Sequence, residues 1–94
     1  MDTRNKILTA EQASRVLAGD ERRYIAVTGY FDPLLAAHAR RLRQVRQAAD
    51  GLIVVLSTPP KPILPPRARA ELVAALAMVD YVVLPQEGAL SDLL

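Results

Sequence analysis

Three short apolar runs constrain this chain more than any other feature: YIAVTG (24–29), LIVVLS (52–57) and YVVLP (81–85). Each is rich in β-branched or aromatic residues, and the stretches between them carry apolar residues at steps of three and four. A continuous apolar run suits a strand covered on both faces, as in parallel sheets. Strands that alternate with helices through short connections point to a parallel sheet with right-handed crossovers. We therefore expect an α/β fold: a three-stranded parallel sheet of order 3-2-1, flanked by helices in a three-layer, Rossmann-like arrangement.

The helical segments follow from their end signals. ILTAEQASRVLAG reads as the first helix, with Thr9 as N-cap, Gln12 completing a capping box, Ala13, Val16 and Leu17 as the apolar stripe, and Gly19 as the stop. Leu34, His38, Leu42, Val45 and Ala49 give a second helix from about Pro33 to Ala49. Asp32 is its expected cap, and Pro33 its first turn, where a missing N–H costs nothing. TPPKPILPP holds five prolines in nine residues, so it is a loop that cannot enter a sheet interior. RARAELVAALAMV forms the third helix and Asp80 breaks it; QEGALSDLL ends the chain with weak signals. No internal repeat or linker divides residues 1–94, which we expect to be a single domain.

Composition excludes several classes. At 94 residues the core is modest, but a hydrophobic fraction of 51% rules out a disordered tail. With no cysteine there is no disulfide framework and no thiolate metal site, which fits a reducing compartment. One histidine and scattered acids form no recognisable metal cluster. The net charge of +2 does not by itself imply nucleic acid, although Arg40, Arg41, Arg43 and Arg46 crowd one segment. No aromatic residues interleave with them, so the cluster is expected to be a solvated helix face rather than a nucleic-acid platform. The amino terminus lacks an apolar signal core and no run approaches membrane-spanning length. A soluble, cytoplasmic protein is expected.

In parallel sheets ligands bind beyond the carboxyl ends of the strands, where loops enter helix N-termini. Here that junction is TGYFDPLLAAH (28–38). The helix start offers free N–H groups and the positive end of the macrodipole. Gly29 permits a tight turn or a close approach, Thr28 can touch a phosphate, and His38 can reach a group held at the helix end.

These residues resemble the signature of the cytidylyltransferase-like nucleotidyltransferases, in which a strand ends in G-x-F-D-x-x-H-x-G-H. Gly29, Phe31, Asp32 and His38 match it, whereas Leu35 stands in place of the first histidine and Ala37 in place of the glycine. KPILPPRARAELVAALAMVDYVVLP is similar to the corresponding region of the branch that includes glycerol-3-phosphate cytidylyltransferase and the nucleotidyltransferase domain of ADP-heptose synthase. The resemblance implies a truncated nucleotidyltransferase fold and, in an active member, transfer from CTP or ATP with pyrophosphate release and Mg²⁺ arriving with the nucleotide. It implies His38 as the catalytic residue. Thr28, Gly29, Tyr30, Phe31, Asp32, Lys61 and Arg69 are the implied nucleotide- or phosphate-binding set.

Leucine donates no hydrogen bond, and loss of one such transition-state donor costs about 10²–10³ in rate. The family's second phosphate motif, rich in serine and threonine, would lie beyond residue 94. The expectation is therefore a domain with impaired catalysis that keeps phosphate binding. Its alternatives are a non-catalytic interaction module, or one part of a longer or multichain enzyme. Because the far side of YIAVT would lack neighbouring strands, a homodimer covering that edge is also expected.

Overall fold

A computed structural model gives the fold, and the structure describes residues 2–85. After a 3₁₀ turn at Thr3–Lys6 come β1 (Ile7–Leu8), α1 (Ala10–Ala18), β2 (Tyr24–Gly29), α2 (Ala36–Arg46), β3 (Gly51–Leu56), α3 (Pro66–Ala74) and β4 (Tyr81–Val83). All strand pairs are parallel and the sheet order is β1-β4-β3-β2. The three expected strands are β2, β3 and β4, in the expected order. The fourth, β1, is an addition: Ile7 and Leu8 pair with Val82 and Val83 instead of opening the first helix. QEGALSDLL (86–94) lies outside the described residues.

The capping box predicts the start of α1 correctly, since Thr9 Oγ1 accepts from Gln12 N at 3.2 Å and Gln12 Oε1 accepts from Thr9 N at 2.9 Å. Two cores lie on opposite faces of the sheet. Leu52, Val54 and Leu56 of β3 point toward α2 and α3, where Leu42, Val73, Ala74 and Val79 meet them. Ile53, the alternate residue, joins Ala13 of α1 and Val83 on the other face. Each fully buried Leu or Val contributes about 1.5–3 kcal/mol, so β3, with five of its six residues buried, anchors the fold.

β2 differs from its expected burial on both faces. None of its residues is fully buried, and Ala26 and Thr28 are exposed. The reason is topological. β2 is the sheet edge among the described residues, and α1 packs over β1 and β4 rather than over it.

Polar links then fix the ends of the helices. Lys6 Nζ donates to Leu76 O at 3.1 Å, just past the end of α3, satisfying a terminal carbonyl with a cation. Arg46 pairs with Asp80 at 3.2 Å, and Asp80 Oδ2 also accepts from Leu52 N at 2.8 Å. No helix among the described residues is long and apolar enough to cross a membrane.

Candidate phosphate site at the carboxyl end of the second strand

A cavity of about 500 Å³ opens where β2 runs into α2, lined by Val27 to Pro33, Leu35, His38, Arg41 and Leu42. Its floor depends on Gly29. A Cβ built there would come within 2.8 Å of the Phe31 ring, so the glycine provides room for that ring rather than a left-handed turn. Phe31 itself has φ of 47°, a left-handed conformation that costs a bulky residue about 1–3 kcal/mol. Burial of its ring, 9% exposed and packed into the main core, offsets that strain.

Asp32 and Pro33 do not start the helix. The Asp32–Pro33 bond is cis, and the Asp32 carboxylate reaches the proline-rich loop, accepting from Ile63 N at 2.6 Å and Leu64 N at 2.7 Å. The cap belongs to Leu35, whose leucine side chain cannot accept a hydrogen bond. His38, three residues on, supplies the missing half: its Nδ1 accepts from Leu35 N at 3.0 Å, as a Glu or Gln does in a capping box. Its ring also meets Phe31 edge-on, with centroids 5.2 Å apart and planes at 82°. With Nδ1 engaged as an acceptor, the ring N–H lies on Nε2, which has no assigned partner among the described residues, and the residue lines the cavity. Among the described residues the amides of Ala36 and Ala37 have no assigned acceptor, as the first turn of a helix requires.

Arg69 is fully buried and makes no ion pair among the described residues. Its Nη1 donates to Ser57 O at 2.7 Å and to Tyr30 O at 3.1 Å, its Nε to Leu64 O at 3.3 Å, and Nη2 has no partner. Asp32 reaches from the β2–α2 loop to residues 63 and 64, and Arg69 reaches back from α3 to Tyr30. The two side chains clasp the loops from both sides.

Thr28, Gly29, Tyr30, Phe31, Asp32 and His38 thus come together around one cavity. Lys61 and Arg69 do not line it: Lys61 is exposed on the proline-rich loop, and Arg69 is enclosed behind the cavity's loops. Arg41 is exposed, as the solvated-face reading expects, and also lines the cavity. The available signal is its position three residues after His38, which puts the two on one side of α2. Arg40, Arg41 and Arg43 are all exposed, Arg41 also lining the cavity, while Arg46 is half-buried and pairs with Asp80. No three metal-ligating side chains converge among the described residues.

Residues 26–92 match the family described as Cytidylyltransferase-like. The chain belongs to that family. Relatives of this cytidylyltransferase-like chain include the bifunctional protein HldE of Caulobacter vibrioides, 36% identical over 101 aligned residues that cover 95% of the chain and 21% of that protein. HldE of Trichlorobacter lovleyi is 30% identical over 105 residues, covering 99% and 21%. HldE of Helicobacter pylori is 32% identical over 96 residues, covering 93% and 21%. The chain spans about a fifth of the length of these relatives.

Proposed function

We propose that this cytidylyltransferase-like domain binds a nucleotide phosphate in the cavity between β2 and α2 but has lost most of its transfer chemistry. The observation that carries the reading is His38, which lines the cavity, is tied by Nδ1 to the helix start and leaves Nε2 without a partner among the described residues. Arg41 and the unpaired amides of Ala36 and Ala37 add attraction for an anion. Leu35 is 57% exposed on the cavity wall and donates nothing to a transition-state phosphate. Among the described residues Asp32 is the one carboxylate lining the cavity, and both its oxygens accept backbone amides. That donor set does not suit a resident metal, so Mg²⁺ would enter with the nucleotide.

The test is pyrophosphate release from CTP and ATP, with glycerol 3-phosphate and sugar 1-phosphates as acceptors, run beside a thermal-shift titration with each nucleotide. We expect stabilisation by nucleotide without appreciable turnover, since ligand at 100 times Kd adds about 2.7 kcal/mol. Turnover near 1 s⁻¹ (a common enzymatic rate of about 1–10³ s⁻¹) would overturn the impaired-chemistry reading. No response to any nucleotide would overturn the binding reading.

One observation favours a second reading, in which the domain docks onto another copy or completes a longer or multichain enzyme. The outer edge of β2 has no partner strand among the described residues. Sedimentation equilibrium tests this, and a strict monomer at high micromolar concentration would count against self-association.

A further inference from the structure

We infer that the cavity is matched to a nucleoside monophosphate, or a similar singly phosphorylated molecule with an apolar body, rather than to a triphosphate. The inference rests on the proposal that this cavity binds nucleotides, and it concerns charge. A terminal phosphomonoester carries about −1.5 to −2 at neutral pH, and a triphosphate roughly twice that. Among the described residues the cavity wall holds one guanidinium, Arg41, and one carboxylate, Asp32, whose formal charges cancel. His38 is already engaged through Nδ1 as an acceptor, which leaves Nε2–H as its available donor.

What remains positive is the N-terminus of α2, equivalent to about half a unit charge. The two other cations implied for phosphate binding do not reach the wall. Arg69 is sealed beneath the loops by bonds to Tyr30, Ser57 and Leu64, and Lys61 lies outside the lining. A triphosphate would leave most of its charge unmatched and bring it toward the Asp32 carboxylate.

The rest of the wall is apolar. Leu35, Phe31, Val27 and Leu42 line it, with Tyr30 half exposed beside them. Leu35 is decisive, since it places an apolar side chain at a position where the family signature has a donor. A sugar or base can pack against such a wall, and a second phosphate cannot. About 500 Å³ falls within the range of ordinary small-ligand pockets.

The experiment is calorimetric titration of the intact chain, without Mg²⁺ and at fixed ionic strength, with AMP, CMP, ATP, CTP, inorganic phosphate and adenosine. We expect each monophosphate to bind within about threefold of its triphosphate or more tightly, and Arg41→Gln to weaken monophosphate binding about tenfold. Leu35→Arg, which adds a cation to the wall, should shift preference toward the triphosphate by about tenfold. A wild-type preference for triphosphate beyond about threefold would overturn this inference and leave the proposed function standing. Equal binding of adenosine and AMP would remove the anion's role, and equal binding of phosphate and AMP would remove the apolar wall's. No binding of any nucleotide would overturn both proposals.

Discussion

His38 does two things that a pair of substitutions can separate. It caps α2 by accepting the Leu35 amide at 3.0 Å, and it lines the cavity with Nε2–H as its available donor. His38→Ala removes both, along with the edge contact to Phe31 at 5.2 Å. Loss of a cap costs about 0.5–2 kcal/mol, and loss of an aromatic pair about 0.5–1.5 kcal/mol. A combined loss of about 2 kcal/mol would lower Tm by about 8–16 °C in a domain of this size. His38→Glu is different. A glutamate at this position can accept the same amide, and its charge suits a helix N-terminus by about 0.3–1 kcal/mol, roughly replacing the lost ring contact. We therefore expect His38→Glu to melt within about 5 °C of the natural chain, while its carboxylate repels phosphate and abolishes nucleotide binding. Circular-dichroism melts paired with CTP and AMP titrations read both properties. If Glu destabilises as much as Ala, the capping role is wrong. If Glu binds nucleotide as well as histidine does, the ligand does not sit at the start of α2.

Four further outcomes follow from other contacts. Arg69→Lys cannot reproduce bonds to three carbonyls, so urea unfolding should show a loss of about 2–4 kcal/mol; a change below about 1 kcal/mol would mean the clasp is dispensable. Gly51→Ala drives a Cβ into the Tyr24 ring and should cost about 1–3 kcal/mol in the same assay, with no change expected in anion binding. The Arg22 side chain, then its amide and the Tyr24 hydroxyl, hold the Asp20 carboxyl well below the usual range. Its contribution is present above pH 4 and lost as pH falls, so Asp20→Asn should flatten the acid limb of stability against pH. Burial and the bond to Asp20 raise the Tyr24 hydroxyl to about 12, so its contribution holds below pH 10 and is lost between 10 and 12; Tyr24→Phe should remove that alkaline limb.

The parts of the fold legible in the sequence are those set by local chemistry. The capping box of Thr9 and Gln12, the three apolar runs and the proline-rich loop each declare themselves within a few residues. Features set by distant partners do not. Ile7 and Leu8 read as a helix start because nothing nearby shows that residues 82 and 83 will pair with them. Asp32 before a proline and an apolar periodicity reads as a helix cap, yet its acceptors are used by amides 31 and 32 residues away. Arg69 reads through the family resemblance as a phosphate ligand, because its three carbonyl partners converge only once two loops are folded over it. Four arginines within seven positions look like one solvated face, and Arg40, Arg41 and Arg43 are exposed as that reading expects; only the fold shows that Arg41 also lines the cavity and that Arg46 pairs with Asp80.

The matches and mismatches to the family signature divide along the same physical line. Gly29 leaves room for Phe31, Phe31 fills the core, Asp32 pins the proline-rich loop, and His38 caps α2. Each of the four matching residues has a folding task in addition to any contact with a nucleotide. The two positions that depart from the signature, Leu35 and Ala37, carry exposed side chains for which the structure shows no polar partner. Exposed positions of this kind can change with little effect on stability, usually within about 0.5 kcal/mol, whereas the four retained residues cannot. Retention of Gly29, Phe31, Asp32 and His38 is thus explained by stability whether or not transfer chemistry survives. The signature is therefore sound evidence for the fold and weak evidence for catalysis. Substitutions that hold stability fixed while changing ligand contacts, such as His38→Glu and Arg41→Gln, are needed to separate the two.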